Sequence, residues 1–243
     1  MISILIPSNA KKKHRRAKSR LERTLDHILS IDTPMDYEII VCSPHQININ
    51  HPKIKAIKDL EGNVGSIQPV NQCLKASQGE YFVSTPDDHL IHPNCFNIQK
   101  FIEGHHFWDR EYKITSTGWR DRPFGGPVGD ITGILVNTDG DTNPQVGILA
   151  MPAGERATVE NLLEGVIFNE TFMHVAADNF LSAYVAARGE LPIFMPDTKC
   201  DRGPSVAQRL EVRDRDRRAY LAMLEYWSKN PEMTYDHILD FNE

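Results

Sequence analysis

Cysteine is scarce in this chain and never paired. Cys42, Cys73, Cys95 and Cys200 are widely spaced, and no CxxC occurs. That argues against a disulfide framework and against a zinc knuckle, and makes a reducing cytoplasm the expected address. No apolar run approaches the roughly 20 residues needed to span a bilayer. No basic start with an apolar core marks the N-terminus as a signal peptide. The GxGxxG fingerprint is missing after the first apolar run. No Gly-Lys followed by Ser or Thr accompanies Gly125, Gly126 and Gly129, and neither a GxSxG elbow nor a catalytic-cysteine signature occurs. These absences disfavour nicotinamide enzymes, P-loop kinases and α/β-hydrolases. Repeats, low-complexity segments and clean linkers are also lacking, so one domain over residues 1–243 is expected.

What is present is ordinary in bulk and uneven in charge. Hydrophobic residues make up 40% and charged residues 25% of 243, the composition of a folded globular chain rather than a disordered one. The net charge is -6, yet residues 11–20, KKKHRRAKSR, carry seven Lys or Arg; without those seven the chain stands at about -13. An acidic protein with one basic segment is not a general polyanion binder, and no nucleic-acid partner is expected. The segment reads as a solvated loop and helix start, or as a contact for phosphate on a donor, an acceptor or a membrane surface.

Local patterns place the first half in an α/β order. ISILI (2–6) and YEIIVC (37–42) are continuous apolar runs that predict buried strands. KIKAI (53–57) and EYFVS (80–84) read as further strands. Leu21, Leu25, Ile28 and Leu29 predict one helix, and Ile67, Val70 and Leu74 another that ends near Gly79. Strand–helix alternation favours a parallel sheet with right-handed crossovers. Its ligands would gather at the carboxyl ends of the strands, in the loops Pro7–Asn9, Cys42–His45 and Pro86–His89. Helices are predicted over 94–108, 155–169, 172–188 and 205–229. Strand-like pieces are predicted at ITGILV, VGILA and LPIFMP.

Few residues are obvious candidates for chemistry. Asp87 and Asp88 follow a buried strand, where paired carboxylates can hold a divalent cation and through it a diphosphate. A helix-capping pair ahead of Pro93 is the plainer reading. Asp139 and Asp141 form a literal DxD, but NTDGDTNP fits a hairpin turn better. His174, Asp178 and Ser182 fall on one face of the predicted 172–188 helix. There Asp178 is either a general base in a cleft or the polar edge of the helix. His89, His92, His105 and His106 lack partners at zinc-site spacing and read as surface histidines.

In order along the chain, these pieces resemble the family-two glycosyltransferases of the GT-A fold. ISILIPSN is similar to their opening strand and loop, and YEIIVCSP to their second strand. EGNVGSIQPVNQCLKASQGEYFVSTPDDHLIHP carries the Asn-x-Gly, the helix Asn71, the Ala-x-x-Gly-Glu-Tyr run and a carboxylate motif with its trailing Pro93. FMHVAADNFLSAYVAARGELPIFMPD resembles the later segment with its acid, helix, Gly and strand. The resemblance spans about residues 1–100 and 165–200.

It implies a Rossmann-like, mostly parallel sheet with helices on both faces and a mixed C-terminal half. Residues 1–100 would form the nucleotide-sugar half, and 101–243 the acceptor-side half with the C-terminal helix. It further implies a nucleotide-diphosphate sugar as donor, Mn or Mg as cofactor, and a glycan, lipid-linked or small-molecule acceptor. Asp88 and Asp87 would be the metal ligands, with Pro86 standing where the first acid usually is. Asp178 would be the base. Pro7, Ser8, Asn9, Cys42, Ser43, Asn63 and Asn71 would line the donor. A third ligand would fall near Cys200 or Asp201. Membrane contact through residues 11–20 is compatible with a lipid-linked acceptor. Two rivals share the sheet: a nucleotidyltransferase acting on a sugar phosphate, and a non-catalytic nucleotide- or glycan-binding protein.

Overall fold

Apolar β-branched runs become the centre of a sheet covered on both faces. The computed structural model describes residues 1–9, 19–47, 49–59, 65–106, 135–137, 151–174, 176–187, 193–194, 201–202 and 210–239. Strands β1 (Ile2–Pro7), β2 (Tyr37–Ser43), β3 (Ile54–Lys58) and β4 (Tyr81–Ser84) run parallel in the spatial order β3-β2-β1-β4. Short strands β6 (Leu135–Asn137), β7 (Pro152–Glu155) and β8 (Ile193–Phe194) extend it to β3-β2-β1-β4-β7-β6-β8, with β7 antiparallel to both neighbours. A separate two-stranded ladder joins β5 (His89–Leu90) to β9 (Asp201–Arg202).

Side-chain alternation assigns the helices to their faces. Ile2, Ile4 and Ile6 of β1 point to one side. There they pack with Leu21, Leu25 and Ile28 of α1 (Arg20–Ser30) and Ile98 and Ile102 of α3 (Ile98–His106). Leu5, Ile40 and Phe82 point to the other. There α2 (Ile67–Ala76), α4 (Arg156–Leu162), α5 (Ala177–Ala187) and α6 (Leu210–Lys229) bury their apolar stripes. Phe180, Tyr184, Trp227 and Tyr235 meet in that second layer, with ring centroids 4.9–6.2 Å apart. Tyr235 is fully buried, and burial pushes its phenol well above the usual tyrosine range; its hydroxyl donates to the Ile167 carbonyl at 3.0 Å.

The helix boundaries correct several expectations. Helix 155–169 stops at Leu162, because Glu164 and Gly165 turn left-handed (φ 50° and 84°), a glycine stop signal. Helix 172–188 begins only at Ala177. Ahead of it, the buried Asp216 carboxylate takes the N–H groups of Met173 and His174, and Ala176 has φ 64°. Residues 94–108 divide into a 3-10 helix, Pro93–Asn97, and α3. Asn63, Cys200, Asp139, Asp141, the VGILA run and the glycines at 125, 126 and 129 lie outside the described residues.

Arg156, at the start of α4, ties that helix to the end of α2. Its guanidinium donates to the carbonyls of Gly79 (3.0 Å), Leu74 (3.2 Å) and Ser77 (2.9 Å), and also to the Ser77 hydroxyl. It therefore closes the C-terminus of α2, where orphan carbonyls and the helix dipole both favour a cation. Replacing it by Met leaves those carbonyls without their charged donor. Arg156→Met should lower unfolding free energy by about 2–4 kcal/mol, read as a lower urea midpoint at unchanged slope. A loss below about 0.5 kcal/mol would show that the cap is dispensable.

Candidate functional site

Parallel strands end at one edge, and the loops that leave that edge meet. The Ser8 N–H donates to the Cys42 carbonyl (2.9 Å), the Thr85 N–H to Leu5 (3.0 Å) and the Asp59 N–H to Ser43 (2.9 Å). The loop after β1 thereby touches the loop after β4: the Ser8 hydroxyl donates to Asp87 Oδ2 at 2.7 Å, and both residues are buried.

Helix α1 lies along the acidic loop and grips it with one face. Residues 20, 24 and 27 repeat at helical spacing. The Thr24 hydroxyl donates to the Asp87 carbonyl at 2.9 Å, and His27 Nε2 lies 2.8 Å from the Ile91 carbonyl. Arg20 reaches both acids, 3.6 Å from Asp87 Oδ1 and 3.7 Å from Asp88 Oδ2. A capping box fixes this first turn: Glu22 N–H to the Ser19 hydroxyl at 3.2 Å, Ser19 N–H to Glu22 Oε2 at 2.7 Å.

The two carboxylates experience opposite environments. Burial raises the Asp87 pKa above the ordinary range, against the Ser8 hydrogen bond and the Arg20 charge. The hydrogen bond from His89, 2.8 Å to Asp88 Oδ1, lowers that of Asp88, helped by the charges of His89 and Arg20. Neither acid caps a helix: His92 Nδ1 takes the Asn94 N–H and caps the 3-10 helix instead. His89 is not a surface histidine either, since its side chain is only 12% exposed.

Their chemistry suits a hard cation that keeps water and phosphate as its other ligands. Asp87 Oδ2 and Asp88 Oδ1 are taken by Ser8 and His89, which leaves Asp87 Oδ1 and Asp88 Oδ2 for such an ion. Among the described residues, no group of three or more His, Cys, Asp or Glu side chains is arranged to hold a metal ion. The backbone of Asp201 pairs with that of Leu90, two residues from Asp88, so the late strand does arrive beside the acids.

Asn71 has a different task from the donor contact expected of it. It is fully buried, and its amide is committed: the oxygen accepts the N–H groups of Ile167 (3.0 Å) and Phe168 (3.2 Å). The nitrogen donates to the Phe168 carbonyl (2.8 Å) and to Glu170 Oε1 (3.0 Å). All four hydrogen-bonding sites of the side chain are thereby used. Cys42 is likewise buried in the core, its thiol 3.3 Å from Gln72 Oε1, and Ser43 is buried with its hydroxyl accepting the His45 N–H (3.2 Å). Pro7 and Asn9 lie at the strand edge, half-buried and exposed respectively.

Asp178 stands in the first turn of α5 and lines an open cleft of about 520 Å³ with His174, Asn179, Arg217, Tyr220 and Leu221. Asp87 and Asp88 are not among the lining residues of that cleft. His174, outside the helix, bonds Ser66 Oγ through Nδ1 (2.8 Å), and Ser182 donates to the Asp178 main-chain carbonyl (2.7 Å) rather than to its carboxylate. Asp178 and Ser182 thus keep the predicted spacing on one helix, while His174 leaves it as a loop histidine beside the helix N-terminus. Burial raises the Asp178 pKa, opposed by the Asn179 N–H and the His174 charge. The Asp178 charge in turn adds to the burial that raises Tyr220. Gly65 brings the start of α2 against the segment that precedes α5. A Cβ at Gly65 would sit 1.7 Å from the Met173 carbonyl oxygen, and the Ser66 N–H bonds that oxygen at 3.1 Å. Sequence reasoning missed Arg20 as a partner of the acids; its place in the basic run and one turn before Thr24 was the available signal.

No protein-family model matches this chain, and no curated protein sequence does. Solved structures do. S. aureus TarS 1–349 in complex with UDP-GlcNAc superposes with a TM-score of 0.54 at 14% identity, over 86% of this chain and 59% of that one. TarS 1–349 in complex with UDP gives 0.52 at 14% identity, over 82% and 59%. TarS 1–349 alone gives 0.52 at 15% identity, over 94% and 73%. This chain thus spans less than two thirds of the first two. The likeness establishes a shared α/β, Rossmann-like fold.

The raised Asp178 pKa carries a stability consequence. Folding disfavours the charged form, so the penalty is present at neutral pH and disappears as pH falls below the unfolded carboxylate value. Asp178→Asn should melt at a higher temperature than the unsubstituted chain at pH 7. The gain should shrink to nothing below about pH 4. Equal melting temperatures at pH 7 would remove the case for a desolvated carboxylate here.

Proposed function

We propose that this chain is a glycosyltransferase that moves a sugar from a nucleotide-diphosphate donor to an acceptor hydroxyl, with inversion and with a divalent cation. The observation that carries this reading is the junction of Ser8, Asp87, Asp88 and Arg20 at the carboxyl edge of a parallel sheet, in a fold shared with structures that hold UDP and UDP-GlcNAc. Ligands of open α/β sheets gather at that edge.

Each residue then has a physical role. The loop Pro7–Asn9 borders the nucleoside, and Ser8 keeps Asp87 oriented. Asp87 and Asp88 would hold Mn or Mg, which when bound would neutralise charge on the diphosphate. Asp178 is the base, in a cleft where Arg217, Tyr220 and Leu221 meet the acceptor. As the acceptor oxygen attacks the anomeric carbon, its proton passes to the Asp178 carboxylate. The bond from that carbon to the diphosphate breaks, and its electron pair leaves with the diphosphate. Burial suits Asp178 to this work, since a carboxylate with a raised pKa is a stronger base. A glycan, a lipid-linked chain or a small molecule are the acceptor classes compatible with an open cleft. Among the described residues no helix is long and apolar enough to cross a membrane.

Two measurements test the reading. UDP, GDP, CDP and dTDP, each with and without Mn, should give a metal-dependent rise in melting temperature for one nucleotide. Saturation at about 100 times the dissociation constant corresponds to about 2.7 kcal/mol. No rise with any of them, in folded protein, would return the chain to the class of binding proteins built on this fold. With a donor in hand, Asp178→Asn should lower transfer about 100- to 10,000-fold. The parent's activity should fall as pH drops through the raised Asp178 pKa, because the base is then protonated. A loss smaller than tenfold would exclude Asp178 as the base.

A further inference from the structure

The same two oxygens that a divalent cation would use are the ones that Arg20 faces. Ser8 occupies Asp87 Oδ2 and His89 occupies Asp88 Oδ1, while the guanidinium lies 3.6 Å from Asp87 Oδ1 and 3.7 Å from Asp88 Oδ2. We propose that Arg20 is the built-in counter-cation of the acid pair, and that a divalent cation enters only by displacing it. The inference rests on the reading of Asp87 and Asp88 as the cation-holding pair.

Three features of the structure support displacement over a permanent bridge. The contacts lie beyond hydrogen-bonding distance, so the guanidinium attracts both acids without a bidentate fork locking it to either. Its side chain is 26% exposed against 8% for Asp87 and 17% for Asp88, so it can swing toward solvent while the acids stay. And its backbone is fixed by the Ser19–Glu22 capping box, so the swing belongs to the side chain alone. Once displaced, Arg20 remains at the mouth of the acidic loop, beside the N-terminus of α1. A guanidinium there matches a diphosphate, whose oxygens it can bond in pairs. Before the cation enters, the same residue offsets the repulsion between neighbouring carboxylates.

Mn binding to the full chain without nucleotide, followed by the loss of the free-ion electron paramagnetic resonance signal, tests this. Arg20→Gln should bind Mn about tenfold more tightly than the unsubstituted chain, since two partly exposed ion pairs no longer compete. Arg20→Lys, which keeps the charge, should stay near the unsubstituted chain. Adding Asp88→Asn to Arg20→Gln should abolish the gain. Equal affinities in Arg20→Gln and the unsubstituted chain, weaker binding in Arg20→Gln, or a gain that survives Asp88→Asn would each overturn the proposal. A second readout needs no variant: saturating Mg should move the Nε–H resonance of Arg20 in the unsubstituted chain, and an unmoved resonance at saturation would overturn it too. Loss of all nucleotide binding with the Mn pattern intact would strike the transferase reading and leave the competition standing.

Discussion

Two neighbouring carboxylates in a loop with little access to water need positive charge close by, and helix α1 is placed to provide it. Mutual repulsion and desolvation both work against a pair of ionised aspartates. Arg20, the Ser8 hydroxyl and His89 answer that demand from three directions. The arrangement explains why α1 docks where it does. Its Thr24 and His27 hold the main chain of the acidic loop while its apolar stripe packs on the sheet. An acidic loop beside a helix N-terminus is also favoured by the dipole, which partly offsets the poor placement of an arginine in the first turn.

A second organising element is the contact between the start of α2 and the segment before α5. Gly65 has no room for a side chain against Met173, Ser66 bonds both Met173 and His174, and buried Asp216 holds the same segment from α6. Ala176, two residues after His174, is left-handed. A non-glycine residue in that conformation stores strain and persists only where its neighbours over-determine it. Here they do, and the result is an Asp178 fixed at a helix start, half-desolvated, with one backbone N–H and a histidine charge to moderate it.

Most of the sheet was legible because parallel strands buried on both faces leave unbroken apolar runs such as ISILI and YEIIVC. The pairing of the strand-end loops followed from topology. What sequence could not show was the fate of residues 163–169 and 172–174, the end of one predicted helix and the start of another. Their apolar spacing imitates a helix, but Asn71 and Asp216, far away in the chain, capture their backbone groups. Asn71 was expected to line the donor only because the family resemblance implies it, and a resemblance cannot tell a ligand contact from a structural bond; its partners at residues 167, 168 and 170 do. His89 read as a surface histidine because no partner stands at zinc-site spacing, and its actual partner, the adjacent Asp88, leaves no such spacing to find. The small ladder of His89–Leu90 with Asp201–Arg202 was also invisible, because two-residue strands carry no periodicity.

The cap that Arg156 provides has a consequence for the order in which the chain can be completed during synthesis. The carbonyls at the end of α2 wait for a donor 77–82 residues downstream, and the amide of Asn71 waits for residues 167 and 168. The N-terminal strands therefore leave the ribosome before the groups that finish their central helix exist. A folding unit closed by such distant contacts is slow to form and exposes apolar sheet while it waits. The N-terminal half cannot reach its final form as an autonomous early domain; it is finished from the far side of the sequence.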